Sequence, residues 1–388
     1  MGSDPLNITL TRSIITPTAL LRLAIGWGGF LLLSLTGHLL GSTLPAWLLL
    51  LCLLGIILVI LICSFGVVHG AEQLARRMGD PYGSLVLTLS IVLIEVILIS
   101  AVMLGPGEHS SIAKDSVMAV SMIILNLVIG LSLLVGGIKH GTMAVNRTGT
   151  SSYLVMLGVL LMLAFALPGL IGEAGSYTTA QRIPLVLLTL GLYAFFLYRQ
   201  MGAQAPDFTE LQPTGNAAGD GAEKSEPRTP IAQILREHRK EISLRLGLLV
   251  LTVLPIVLLS HDMASLLDLS LERVGAPVAL SGILIAMIVF LPESITSVRA
   301  ALAGEIQRVS NLCHGALVST VGLTIPAVLV IGSLTDQRVI LAESAANLTL
   351  LAVTMLVTVA GFGAKKLTAI HGAAHLALFV VYGLVVFS

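Results

Sequence analysis

Pro81-Tyr82-Gly83-Ser84-Leu85-Val86-Leu87-Thr88-Leu89-Ser90-Ile91-Val92-Leu93-Ile94-Glu95 and Val278-Ala279-Leu280-Ser281-Gly282-Ile283-Leu284-Ile285-Ala286-Met287-Ile288-Val289-Phe290-Leu291-Pro292-Glu293 are two apolar runs. Each ends on a lone glutamate. A carboxylate at membrane depth costs several kcal/mol unless it is paired, protonated or ion-bound, so it marks a functional site by default. Two of them, at matching places in the two halves of a chain, point to one shared cation or proton site.

The rest of the chain fits a membrane setting. Of 388 residues, 56% are hydrophobic and only 11% charged, with mean hydropathy +0.98. Soluble domains carry about 25% charged residues. The net charge is zero and no basic cluster speaks for nucleic acid. Cys52, Cys63 and Cys313 all lie in apolar runs and read as small hydrophobes rather than a disulfide framework. The first apolar run, from near Leu20, is long enough to be a span and does not read as a cleavable leader.

A span needs about 20 mostly apolar residues. Eleven segments qualify: Leu20–Leu40, Pro45–Val68, Ser84–Leu104, Ser116–Gly137, Tyr153–Gly172, Pro184–Met201, Ser243–Leu259, Pro277–Val298, Cys313–Leu334, Leu341–Val359 and Leu367–Phe387. The third and eighth have the length of broken helices. With this count, seventeen of the 21 lysines and arginines fall on the side of the N-terminus. The other four, Lys114, Arg182, Arg273 and Arg338, fall opposite. The positive-inside rule then puts the N-terminus in the cytoplasm and the C-terminus outside. Tyr82, Tyr153, Tyr177 and Tyr198 fall at span ends, as interfacial rings do.

Between Gly202 and about Lys240 the character changes to proline, glycine and mixed charge, the composition of a flexible linker. A short helix is expected over Ile231–Glu241, and Glu210 and the other acids there read as a solvated loop. This divides the chain into residues 1–42 with the first helix, a five-helix repeat over 43–202, a linker over 203–241, and a second five-helix repeat over 242–388. An odd number of spans per half makes the halves enter the membrane from opposite sides. Inverted repeats of this kind are a signature of secondary transporters, whose sites lie where the repeats meet. The predicted fold is therefore an all-α polytopic membrane protein of eleven transmembrane helices, one N-terminal helix plus two inverted repeats.

Helical spacing adds polar neighbours to the glutamates. Ser84 and Thr88 precede Glu95 on its stripe, and Thr296 and Ser297 follow Glu293 by three and four residues. Such hydroxyls also bond back to their own helix. Pro292 removes a backbone donor and can free a carbonyl for an ion. Asn126 and the Ser319-Thr320 pair sit in the spans that follow the two glutamate spans. His371 and His375 share a helix face but lack the glutamate and third ligand of a zinc motif, so packing is the reading for them. His314, at the start of the ninth predicted span, reads as a buried histidine with a proton relay as the alternative. For the glutamates the alternative is helix capping or an aqueous vestibule.

The chain resembles the bacterial calcium/proton antiporters of the calcium:cation antiporter superfamily. The resemblance rests on Gly79-Asp80-Pro81-Tyr82-Gly83 leading to Glu95, Leu125-Asn126-Leu127-Val128-Ile129-Gly130, Gly136-Gly137, Leu291-Pro292-Glu293, Gly322-Leu323-Thr324-Ile325-Pro326 and His371-Gly372-Ala373-Ala374-His375. It implies a secondary antiporter of the bacterial inner membrane that exports Ca2+, with Na+ or K+ as further cargo, in exchange for H+. It implies Glu95 and Glu293 as the cation acids, Ile91 and Val289 as carbonyl donors, and Asn126 and Ser319 as supporting polar groups. No resident cofactor and no enzyme activity are implied; the partners are the ions and the bilayer, with a homo-oligomer left open. One departure stands out: the vacuolar exchangers carry Gly-Asn four and three residues before the glutamate, where this chain has Ile91-Val92 and Val289-Phe290. A monovalent cation/proton antiporter and a passive cation channel are the competing readings. An intramembrane protease is disfavoured, because Ala279-Leu280-Ser281-Gly282 lacks the first glycine of a nucleophile motif.

Overall fold

The structure is a computed structural model describing residues 14–36, 45–78, 110–210, 236–275 and 279–387, together with residues 89, 90, 92, 93, 95, 96, 99, 100 and 103. The protein is an all-helical polytopic membrane protein. Its helices are α1 (Pro17–Thr36), α2 (Ala46–Met78), α3 (Ile112–His140), α4 (Arg147–Ile171) and α5 (Thr179–Met201) in the first half. The second half holds α6 (Arg239–Val274), α7 (Ala279–Ala303), α8 (Ile306–Leu334), α9 (Ala345–Gly363) and α10 (Ala369–Val386). Among the described residues nine of these are long and apolar enough to cross a membrane, and the bent α7 makes a tenth. The remaining predicted span is the Glu95 segment between α2 and α3, whose described residues are helical.

Several boundaries shift from those of the predicted spans. Capping explains two of them. Asn146 accepts from the amides of Thr148 and Gly149 and starts α4 six residues before Tyr153. Ser344 accepts from the Asn347 amide and starts α9 after Leu341, not at it. At 36 residues α6 is about 54 Å long, longer than the ~30 Å hydrocarbon core. It takes up the end of the predicted linker. α8 starts at Ile306, so His314 lies more than two turns inside the helix and is fully buried, not at its start.

Two helices are interrupted rather than straight. α3 opens into a π-helical stretch at Ile123–Val128 and α4 into another at Met162–Ala166. In α7, Leu280–Ile288 and Phe290–Ala303 meet at 57°. Pro292 supplies the cause of that bend: it has no N–H for the carbonyl four residues back, at Ile288.

The packing is arranged in matched pairs. α2 packs on α6, which holds the same ordinal place in the other half. α3 packs on α10, and its counterpart α8 packs on α5. α8 also packs on α4, as the π stretch of α3 does on α9. α3 and α8 are thus the inner helices. α1 stands outside this scheme against α2 and α6, with Leu20, Leu21, Leu31, Leu32 and Leu35 exposed as lipid-facing residues should be.

Close approach of α3 and α10 depends on missing side chains. A Cβ on Gly372 would fall 2.3 Å from the Leu134 amide nitrogen, and one on Gly137 would fall 2.3 Å from that of Ala369. In hydrocarbon there is no solvent-driven collapse between helices, so such small-residue contacts carry the association. Gly372→Ala should therefore destabilise the folded protein by about 3 kcal/mol, at the upper end of overpacking costs. The check is the detergent-solubilised unfolding midpoint; an unchanged midpoint would show that this crossing is looser than its geometry.

Candidate cation site

Glu95 and Glu293 are both buried, at 5% and 3% exposure. Glu95 is carried by the segment between α2 and α3, and Glu293 by α7 one residue beyond Pro292. The Thr320 hydroxyl of α8 donates to Glu95 Oε2 at 2.5 Å. Among the described residues the other oxygen, Glu95 Oε1, is buried with no hydrogen-bond partner, and so is Glu293 Oε2. The two side chains lie within reach of each other's charge. Buried polar atoms are nearly always satisfied in folded proteins, so two orphan carboxylate oxygens in one region mark a place built for something else to bind.

The hydroxyls of Ser281 on α7, Ser132 on α3 and Thr324 on α8 are also buried without partners. A narrow recess runs along Glu95 between Ser116 and Val120 of α3 and Ile285, Ala286 and Phe290 of α7.

The remaining predicted site residues divide. Ser297 is fully buried and accepts a 3.6 Å contact from the thiol of Cys313, itself within reach of the Glu293 charge. Thr296 turns back to its own helix, donating to the Pro292 carbonyl at 3.0 Å. Val289 lies at the bend of α7. Thr88 and Ile91 lie outside the described residues.

Asn126 and Ser319 face away from the carboxylates in their hydrogen bonding. Asn126, on the π stretch of α3, donates to the Thr354 hydroxyl of α9 at 2.9 Å and pairs through Oδ1 with His375 of α10 at 3.2 Å. Ser319 accepts from the Tyr193 hydroxyl of α5 at 3.0 Å and donates to the Gly315 carbonyl. Each therefore ties an inner helix to an outer one, in equivalent places of the two halves. The carboxylate contact falls to Thr320. In the Ser319-Thr320 pair one residue of helix rotation, ~100°, separates the two directions. Hydropathy shows that the pair is there but not which member faces the acid.

His371 and His375 do not form a pair. His371 Nδ1 accepts from the Thr368 backbone N–H at 3.1 Å and caps α10, while His375 is buried on Asn126. Among the described residues no group of three metal-binding side chains occurs. His314 contacts Ser310 at 3.0 Å and packs on Phe362.

The linker begins as part of the body. Phe208 packs on Tyr153 and Phe196, and Glu210 accepts from the amides of Gln307 and Arg308 at 3.2 Å, capping α8. Burial pushes the Glu210 carboxyl up, against the pull of those two amides. Glu210 is thus a helix cap and not the solvated acid its composition suggested.

Two blocks of the chain, residues 47–202 and 244–388, match the family model of the sodium/calcium exchanger proteins. The chain belongs to that family. It is 29% identical over 383 residues to the sodium-potassium/proton antiporter ChaA of Escherichia coli, an alignment spanning 97% of this chain and 96% of ChaA. It is 34% identical over 321 residues to y4hA of Sinorhizobium fredii, covering 82% of this chain and 83% of the relative. Among solved structures, the H+/Ca2+ exchanger CAX superposes with TM-score 0.68 at 16% identity, over 94% of this chain and 87% of CAX. Native YfkE superposes with TM-score 0.65 at 14% identity, over 94% and 99%. At those identities the likeness is one of fold. The family and its relatives make this chain a membrane cation antiporter.

The Thr320 contact gives a direct test. Thr320→Val keeps the shape but leaves Glu95 with no donor, removing a hydrogen bond to a charged group worth about 1.5–3 kcal/mol. Exchange measured in vesicles should fall roughly tenfold or more, and Thr320→Ser should restore most of it. Equal activity of the valine and serine variants would show that the hydroxyl only fills space.

Proposed function

We propose that this protein exports Ca2+ in exchange for H+, with Glu95 and Glu293 as the groups that carry both loads in turn. The observation that supports this is the pair of buried glutamates, each with one oxygen unpartnered, on segments of equal rank in the two halves. Two carboxylates neutralise a divalent ion, which removes most of the cost of holding it where water is scarce. Calcium takes six to eight oxygens, and hydroxyls, freed carbonyls and retained water complete such a shell. Thr320 beside Glu95, Ser297 one turn from Glu293 and the Ile288 carbonyl released by Pro292 are the supply in this chain.

Empty carboxylates cannot remain charged side by side in such a place, since burial and mutual repulsion both favour the neutral form. Protons are then the alternative load. A site that must be filled by the cation or by protons before it can reorient exchanges one for the other. Alternating access follows from rocking one half against the other around the inner helices. The bend in α7 and the π stretch of α3 lie where helices flex without losing their span.

A second reading has its own support. The relative ChaA, similar over nearly the whole chain, is named for sodium and potassium. Na+ or K+ on one ionised glutamate, with the other protonated, balances charge equally well. The setting we propose is the bacterial inner membrane, with the N-terminus and the basic end of the bundle in the cytoplasm, as the distribution of lysine and arginine supports.

Glu95→Gln keeps the shape of the protonated side chain but can neither release a proton nor offer charge to an ion. In everted vesicles it should abolish cation-driven proton movement and proton-driven Ca2+ movement together, and Glu293→Gln should do the same. Normal insertion with wild-type exchange in either variant would remove that glutamate from the mechanism. A scan over Ca2+, Na+ and K+ in the wild type separates the two readings. Flux that survives collapse of the proton gradient would make the protein a channel.

Proton competition fixes the sign of the pH effect. Protons and the cation contend for the same oxygens, so apparent cation affinity should rise with pH until the carboxylates are fully ionised, then level off. Apparent affinity measured by initial rates at several pH values checks this. A flat profile would mean that cation and proton use separate groups.

A further inference from the structure

Away from the glutamates, α1, α2 and α6 flank an open recess at the basic end of the bundle. Its polar lining is Arg22 from α1, His69 and Gln73 from α2, and Arg245 from α6, with Gly66 and Gly70 forming the floor on α2. The two recesses share no lining residue.

The recess is a product of close helix packing. A Cβ on Gly26 of α1 would lie 2.8 Å from Cys63 Sγ and 2.9 Å from Pro255 Cγ, so α1 sits tightly on α2 and α6. The Trp27 indole donates to the Leu251 carbonyl of α6 at 3.1 Å. Arg22 then crosses Gly66, where a Cβ would lie 2.9 Å from its Cδ. Gly70, one turn further on, is different: a Cβ there would meet no atom within 4 Å. Space is left open at Gly70 and filled by arginine at Gly66.

Charge in the recess is unbalanced. Glu241 Oε1 accepts from Arg77 and from Arg245, each at 2.9 Å, so one carboxylate answers two guanidinium groups. Arg245 Nη1 also donates to Gln73 Oε1, which holds the guanidinium against the recess. Arg22 forms no ion pair among the described residues. Two arginines thus face one cavity with a net positive excess, and arginine suits phosphate through its forked donors.

We propose that this recess binds the phosphodiester headgroup of an anionic membrane phospholipid, held by Arg22 and Arg245. A phosphate group is the shared chemistry, and the flanks decide its source. Beside the recess Leu20, Leu21, Leu246 and Val250 are 53%, 60%, 50% and 48% exposed, an apolar margin for acyl chains that free phosphate does not need. Basic pockets between transmembrane helices at the membrane surface bind such headgroups. The bound lipid would brace α1, the helix outside the paired halves, against α2 and α6.

The test uses the full chain in nanodiscs of phosphatidylcholine, with or without phosphatidylglycerol, reading retained lipid by native mass spectrometry. Wild type should retain phosphatidylglycerol about five- to tenfold over Arg22→Gln. Gly70→Leu, which fills the recess without changing charge, should lose it equally, while Arg22→Lys keeps most of it. Lys366→Gln, at an exposed residue of the same basic end, should be unchanged. The proposal is overturned if Arg22→Gln and Gly70→Leu retain the lipid as wild type does, or if Lys366→Gln loses as much as they do. It is overturned as well if inorganic phosphate added to phosphatidylcholine nanodiscs displaces phosphatidylglycerol, for the site would then be one for free phosphate.

Discussion

Carboxylates that water does not reach must be neutralised by what surrounds them, and this exchanger buries two of them. Among the described residues Glu95 and Glu293 have few partners: Thr320 on one oxygen, and no hydrogen-bond donor on Glu95 Oε1 or Glu293 Oε2. Full satisfaction by protein donors would make the site permanent. A buried polar group left short of partners can be completed by an ion or by a proton. That requirement explains why the glutamates lie beside interrupted helices. A straight helix has no carbonyls to spare, whereas the bend at Pro292 frees one next to Glu293.

The inner helices α3 and α8 carry this arrangement and are fixed to the outer ones by buried hydrogen bonds. Asn126 reaches Thr354 and His375, and Ser319 reaches Tyr193. In a lipid setting, where apolar contacts do not discriminate between helix and lipid tail, such polar ties and close glycine crossings determine which helices stay together. The matched pairing of α3 with α10 and of α8 with α5 follows from the same devices used twice. Each half is completed by an outer helix of its partner's inner neighbour, so the halves are separate in sequence yet closely joined in space.

The connection between the halves is part of the mechanical design at its start. Phe208 under Tyr153 and Glu210 on the first amides of α8 anchor the chain to the end of the helix that carries Thr320. A carboxylate on the positive end of a helix dipole is a favourable contact of modest size. On the opposite end of the bundle, Glu343 accepts from Asn347 and stands near Lys114 and Asp115; burial pushes its carboxyl up, with Asp115 adding to the push and Asn347 and Lys114 opposing it. Acids at both ends are thus placed by helix termini, not merely scattered over loops.

The sequence by itself determined the membrane fold and singled out the two buried acids as candidates, because hydropathy over twenty residues and a lone charge within it are one-dimensional signals. The resemblance carried by the glutamate segments pointed to the family for the same reason. It did not determine where helices begin: the caps at Asn146 and Ser344 moved α4 and α9, and α8 took in the residues before Cys313. Only the tertiary structure chose Thr320 over its neighbour Ser319, sent Asn126 toward His375, and docked Glu210 as a cap. Each of those choices is a direction around a helix or a contact across more than a hundred residues. Residue order fixes which groups exist, while packing fixes which of them face one another.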